Sequence, residues 1–271
     1  MPELPEVETT RLGISPHITG KRVKQVVIRH PRLRWPIPEE LPQLLTGRKL
    51  LAVARRGKYL LLSFHHGTLI LHLGMSGSLR IVDPSSPAQK HDHFDLQLSS
   101  GKQLRLRDPR RFGAVLWTDK PPTQHPLIAN LGPEPLADEF SGEYLHSRGS
   151  SRRIPVKQLI MDSKTVVGVG NIYASESLFK SGIHPTRPSN RISGERYLRL
   201  ALAIEETLNA AIAQGGTTLR DFRREDGKPG YFAQQLQVYG KAGEPCPVCG
   251  NPIHSKAIAQ RSTFFCKACQ H

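Results

Sequence analysis

The stretch LLAVARRGKYLLLSFHHGTLILHLG, residues 50–74, decides how this chain is read. Two runs of branched and aliphatic residues, Tyr59–Phe64 and Thr68–Leu73, flank a short polar turn, and a third candidate, Leu50–Arg55, precedes them. Runs this short, bounded by Gly and polar residues, predict β-strands joined by tight turns. The pattern extends both ways. Val23–Arg29 is a further strand candidate; Phe94, Leu96 and Leu98 alternate with Asp95 and Gln97; Leu104 and Leu106 flank Arg105; Ala114–Trp117 follows. Many short strands punctuated by Gly and Pro predict an antiparallel sandwich or barrel.

Outside this block the pattern changes. Residues 2–14 predict a short helix, with Pro2 and Pro5 in or before its first turn and Glu3, Glu6 and Glu8 near its positive pole. Turn residues across Pro121–Pro135 mark a linker. Beyond it the chain reads as helical. Pro155–Met161 and Asn171–Ser181 are short helices, and Ser193 caps a long one with apolar positions Leu198, Leu202, Ile204, Leu208 and Ile212, ended by Gly215-Gly216. Residues 217–235 are polar and Gly-rich and read as a mobile loop. The expected division is therefore 1–130, 131–235 and 236–271.

Charge and cysteine usage narrow the function. Lys and Arg number 38 against 23 Asp and Glu, a net charge of +15 over 271 residues. Such an excess points to an anionic partner, above all nucleic acid. No stretch approaches 18 apolar residues and MPELPEVETT has no apolar signal core, so the expectation is an intracellular protein with no membrane partner. All four cysteines fall in the last 26 residues, as Cys246-Pro-Val-Cys249 and Cys266-Lys-Ala-Cys269 with 16 residues between. Two such pairs present four thiolates to one tetrahedral zinc ion, closed by protein ligands and hence structural. The intervening residues predict a β-hairpin with Lys256 and Arg261 and no acidic residue, suited to DNA phosphates.

Pro2 carries a second kind of chemistry. A small residue after the initiator Met permits its removal, which exposes a secondary amine. An α-amino group titrates near about 7.7–8, so a fraction is nucleophilic at neutral pH. It can attack a sugar carbon and form an iminium, as a Schiff-base lysine does. Glu3 is adjacent and can supply a proton. Taken alone, Pro2-Glu3 reads as a helix start without chemistry.

In order along the chain stand PELPEVET (2–9), GKYLL (57–61), HLGMSGSLR (72–80), DPRRFG (108–113), GVGNIYASE (168–176), GGTTLRDF (215–222) and the cysteine module. Together they closely resemble the bacterial formamidopyrimidine-DNA glycosylase family over essentially the whole length. The resemblance implies an α+β multidomain fold: an amino-terminal helix plus antiparallel β-sandwich, a helix–two-turn–helix domain and a zinc-finger β-hairpin, with DNA in a positive cleft between them. It implies a base-excision repair enzyme that removes oxidised purines from duplex DNA and then cleaves the strand. Pro2 would be the nucleophile at C1′ and Glu3 the general acid/base. Lys58 would contact phosphate and assist β-elimination, and Arg261 would bind phosphate for δ-elimination. Met75, Arg110 and Phe112 match residues that fill the void left by an extruded nucleotide. His91, Arg110, Arg152 and Asn171 match DNA-contacting positions, Lys157 is a further phosphate or lesion-side candidate, and 217–235 matches a segment that closes over the flipped base. Arg152 and Arg153 are neighbours, so the register there stays open by one residue. A cytoplasmic monomer with one structural zinc is expected.

The rivals are the sister endonuclease VIII family, which acts on oxidised pyrimidines, a non-catalytic zinc-finger DNA-binding protein, and an RNA-binding ribosome-associated protein. Leu4 in PELPE and the DPRRFG motif side with the purine enzyme; intact Pro2 and Glu3 oppose the second, and the sandwich motifs oppose the third.

Overall fold

The computed structural model describes residues 2–216 and 235–271. The loop expected over 217–235 thus lies, apart from its last residue, outside the described residues. The chain forms two compact units: residues 2–129 with 214–216 in the first, and Asn130–Ala213 with 235–271 in the second. The helical and zinc segments, expected as separate domains, pack as one unit.

The first unit starts with α1 (Leu4–Ile18). It then carries β1 (Val23–Ile28), α2 (Leu41–Leu45), β2 (Ala52–Arg56), β3 (Tyr59–Phe64), β4 (Gly67–His72), β5 (Ser78–Val82), β6 (Asp92–Leu98), β7 (Gln103–Arg107) and β8 (Ala114–Thr118). These strands make two four-stranded sheets, ordered β1-β6-β7-β5 and β2-β3-β4-β8, antiparallel throughout. Of the two architectures left open, the sandwich is the one formed. In β3 the alternation works as expected: Leu60, Leu62 and Phe64 face inward and Tyr59, Leu61 and Ser63 are partly exposed. Ile14 and Ile18 of α1, Leu41 and Leu45 of α2, and Leu69, Leu71, Leu96 and Leu104 from the two sheets share one buried cluster. Each such side chain contributes about 1.5–3 kcal/mol relative to exposure, and with Val7 in the same cluster α1 is anchored along its length.

β6 departs from simple alternation. Asp95 alternates with Phe94 and Leu96, yet it is fully buried as they are. The guanidiniums of Arg29 and Arg105 and the Gln103 amide donate to its carboxylate. A buried carboxylate requires such partners.

The second unit contains α3 (Gly142–Gly149), α4 (Val156–Met161), α5 (Asn171–Lys180), α6 (Gly194–Ala213), β9 (His254–Ile258) and β10 (Arg261–Phe265). Ser193 Oγ accepts from the Arg196 amide at 3.4 Å, as a helix cap does. The buried stripe of α6 runs through Tyr197, Leu200, Ala201, Ile204, Leu208 and Ala211. Leu198 and Leu202, expected inside, are 44% and 49% exposed, because they lie one position off that 3.6-residue repeat.

Candidate active site

In the first unit, three short chain segments carry the candidate residues. Pro2 and Glu3 are buried at the amino end of α1. The Glu3 amide donates to Glu6 Oε2 at 2.8 Å, half of a reciprocal capping box whose other half is the Glu3 carboxylate at the Glu6 amide. The box holds the strand-like entry of the chain onto the helix and concentrates carboxylate at the helix's positive pole. Gly216 packs here too: a Cβ at this glycine, whose φ is +80°, would lie 3.0 Å from Glu6 Oε1.

Lys58 occupies the turn between β2 and β3, after Gly57 with φ +55°. The turn is tied to α1 by one carboxylate. Glu8 accepts from Arg11 at 2.6 Å and from Arg55 Nε at 2.9 Å, and Arg55 Nη1 donates to the Gly57 carbonyl at 3.1 Å. Burial pushes the Glu8 pKa upward, but hydrogen bonds and charge from Arg11 and Arg55 prevail and hold it below the ordinary carboxylate range. At the end of β4, His72 Nδ1 accepts from the Gly74 amide at 2.9 Å. Its pKa is lowered to about 4, first by burial and then by the positive Lys58 and Arg34. His72 is thus a neutral imidazole with its proton on Nε2.

The third segment pairs two loops. Met75 lies in the turn 73–77 and Arg110 and Phe112 in the loop after β7. Asp108, fully buried, joins them: Oδ1 accepts from Ser76 Oγ at 3.0 Å and Oδ2 from the Gly113 amide at 2.7 Å. Ser76 Oγ in turn accepts from the Arg110 amide at 3.2 Å. Gly74 sits so close to the Phe112 backbone that a Cβ would meet it at 2.4 Å. Arg110 and Phe112 are exposed, with the guanidinium 5.1 Å from the ring centroid. His91, at φ +78°, is the last residue of the turn before β6, and its carbonyl accepts from the Asp108 amide at 2.9 Å. Asp108 therefore organises Met75, Arg110, Phe112 and His91 together.

In the second unit, Asn171 is the first residue of α5. Its Nδ2 donates to the Ser262 carbonyl at 2.9 Å, and its Oδ1 accepts from Lys157 Nζ at 2.6 Å. Lys157 is 1% exposed and also donates to Thr263 Oγ1 at 2.7 Å. The lysine thus locks α4, α5 and β10 together, and Arg261, exposed at the start of β10, projects beside this lock. Lys157, Gln158, Met161, Asp162, Ile258 and Arg261 line a hollow of about 290 Å³. Arg152 lies 3.7 Å from Asp162 as an ion pair, whereas no such partner is seen for the exposed Arg153 among the described residues.

The four thiols Cys246, Cys249, Cys266 and Cys269 lie within 4.8 Å of one another. Sγ–Sγ separations of 3.9 Å (Cys246–Cys269) and 3.5 Å (Cys249–Cys266) bracket the ~3.8 Å edge of a tetrahedron with 2.3 Å zinc–sulfur bonds. The donor set and spacing fit one structural zinc ion. β9 and β10 pair across the stretch between the cysteines, as expected. Gln270 secures the module: its Oε1 accepts from the Cys266 amide at 2.8 Å and its Nε2 donates to the Ile183 carbonyl at 2.9 Å.

Several organising residues escaped the sequence reading. Asp108 sits inside a quoted motif without being singled out, and Glu8 was read only as a charge near the pole of the helix. Glu176, 6% exposed on α5, accepts from the amides of Gln237, Val238 and Tyr239 at 2.8–3.0 Å and so fixes the chain entering the zinc module. The Glu3–Glu6 spacing of three was the one local signal available, as a capping box.

Residues 1–115 match the formamidopyrimidine-DNA glycosylase N-terminal domain, 131–223 the formamidopyrimidine-DNA glycosylase H2TH domain, and 243–271 the zinc finger found in FPG and IleRS. The chain is 59% identical over 270 residues to the formamidopyrimidine-DNA glycosylase of Methylococcus capsulatus and 58% identical over 271 residues to that of Vibrio cholerae, each covering all of both chains. Among solved structures it is similar to the MutM (Fpg) protein of Thermus thermophilus, with TM-score 0.89 and 40% identity over 99% of this chain and 98% of that one. It is likewise similar to the Lactococcus lactis Fpg in complex with DNA containing an abasic site, with TM-score 0.89 and 33% identity over 99% of both. Three domain matches in order and full-length identity above half place this chain in the formamidopyrimidine-DNA glycosylase family.

Proposed function

We propose that Pro2 at the amino end of α1 is the reactive group of this DNA glycosylase/AP lyase, and that its substrate is duplex DNA carrying oxidised purines or abasic sites. With Met1 removed, the Pro2 secondary amine attacks C1′. The C1′–N bond breaks, and its electron pair leaves with the base, which takes up the proton that the Pro2 nitrogen gives up. Glu3 delivers a proton to the sugar ring oxygen as the ring opens, leaving an iminium between Pro2 and C1′. Loss of a C2′ proton expels the 3′ phosphate, and a second elimination expels the 5′ phosphate. Water then releases the sugar fragment and restores the amine.

The single observation that carries this reading is the buried Pro2-Glu3 pair on a reciprocally capped helix end, tied through Glu8 and Arg55 to the Lys58 turn. Lys58 and Arg261 are the cations proposed for the phosphates that leave. Met75, Arg110 and Phe112 fill the space of the extruded nucleotide: a flexible thioether, a guanidinium to pair the orphaned base, and an aromatic wedge. His91, Arg152 and Asn171 hold flanking phosphates. Lys157 serves through the position it gives Asn171 and β10. Zinc supplies no step; it shapes the hairpin that presents Arg261. The enzyme acts as a monomer in the bacterial cytoplasm, at the nucleoid. No helix among the described residues is long and apolar enough to cross a membrane.

Glu3→Gln tests the assignment. Base release from an 8-oxoguanine duplex should fall far more than cleavage of a ready-made abasic site. Equal losses would leave Glu3 without the role given to it.

A further inference from the structure

A second basic site lies at the opposite end of α1. There the chain after the helix, Gly20–Val23, pairs with Gly47–Leu50: the Gly20 amide donates to the Leu50 carbonyl at 2.8 Å, Leu50 to Lys21 at 2.9 Å, Val23 to Arg48 at 2.9 Å and Gly47 to Val23 at 2.7 Å. This pairing and the β3–β4 turn enclose a groove of about 350 Å³ lined by Arg22, Gly47, Arg48, Lys49, His65 and His66. No carboxylate is among its lining residues, and all five cationic or ionisable side chains are exposed.

Two of them are held in place. Arg22 Nη1 donates to the Gly47 carbonyl at 3.0 Å, which orients the rest of its guanidinium fork. His66 Nε2 donates to the Leu44 carbonyl at 3.0 Å, and its ring lies 5.1 Å from that of Trp117. Arg48 and Lys49 add two permanent charges. The three permanent cations Arg22, Arg48 and Lys49, with no carboxylate among the lining residues, repel one another, and an anion with several oxygens relieves that repulsion.

We propose that this groove binds the phosphodiester backbone of a second DNA segment, distinct from the one at Pro2. α1 has 15 residues and so separates the two sites by roughly 22 Å. A basic groove at that distance lets the enzyme hold one stretch of DNA by charge alone while it reads another. The inference rests on the Pro2 reading only in that the test fills the Pro2 site first.

The test uses enzyme trapped by borohydride on a lesion duplex, then titrated with a labelled lesion-free duplex at low salt. Failure to trap would count against Pro2 and is seen before the second duplex is added; enzyme saturated with a non-cleavable abasic duplex then replaces the adduct. The loaded wild-type enzyme should bind the second duplex. R48Q/K49Q should bind it at least about tenfold more weakly and with a shallower salt dependence, the log–log slope falling by about 0.9 for each phosphate no longer neutralised. K24Q/K120Q, which removes two exposed cations elsewhere, should bind like wild type. Absence of second-duplex binding, or equal weakening by both pairs, would overturn the proposal. So would binding of inorganic tripolyphosphate by a groove that takes no duplex, which would make it a site for free phosphate compounds.

Discussion

Asp108→Asn separates two parts of the chemistry that a general loss of folding would not. The wild-type carboxylate is fully buried and accepts two hydrogen bonds, from Ser76 Oγ at 3.0 Å and the Gly113 amide at 2.7 Å. An amide has one acceptor and one donor end. If its oxygen keeps the Gly113 amide, its NH₂ faces Ser76, whose oxygen already accepts from the Arg110 amide and whose own proton loses its partner. The change removes one charge-assisted bond, about 1.5–3 kcal/mol. That shifts melting by roughly 3–12 °C at 2–4 °C per kcal/mol for a chain of this size class. The part of the loss felt by the Met75 and Arg110–Phe112 loops lowers base excision, because extrusion of a stacked nucleotide requires the void to be filled. At 1.4 kcal/mol per factor of ten, about 2 kcal/mol corresponds to roughly 30-fold. An abasic site has no base to unstack, so its cleavage should fall only a fewfold. Single-turnover rates on 8-oxoguanine and abasic duplexes, measured below the variant's melting range, check this. Proportional losses on the two substrates would refute the claim that Asp108 acts through these loops.

Three further outcomes are expected. Glu8→Gln leaves Arg11 and Arg55 without their carboxylate and should slow strand cleavage at an abasic site, through a loosened Lys58 turn, while zinc content stays at one per chain; an unchanged cleavage rate would separate Lys58 from this tie. Cys249→Ser should release zinc and lose duplex binding, as read by metal analysis and anisotropy, and tight binding by the zinc-free variant would contradict the hairpin's role. His72 has a folded-state pKa of about 4 against the usual 6.5, so the unfolded chain takes up its proton first. The stability this supplies is present above about pH 6.5 and lost as pH falls towards 4. Melting temperature should therefore drop less between pH 7.5 and 5 in His72→Phe than in wild type; identical drops would exclude the imidazole as a source.

What the sequence made legible follows from range. Tyr59–Phe64 shows its inward face in the period-two pattern, and the cysteine pairs show their ligand set in their spacing, because each is a local regularity. Pro2 and Glu3 look like any helix start; the resemblance, not their chemistry, singles them out. The residues that hold the site in shape join distant positions. Arg55 meets Glu8 across 47 residues, and Glu176 meets Gln237 across 61. No periodicity records such pairs. Asp95 is of the same kind: its alternation with Phe94 and Leu96 does not reveal that Arg29 and Arg105 cover its charge. Leu198 and Leu202 misled because a long apolar-rich helix permits two stripes, and only packing selects one.

The most direct measurement is borohydride trapping on a duplex with one 8-oxoguanine opposite cytosine, followed by peptide mapping. The account predicts a covalent adduct on an amino-terminal Pro2, lost in a variant that keeps Met1 in place. An adduct on a lysine, or none from enzyme that lacks Met1 and still binds the lesion, would contradict it.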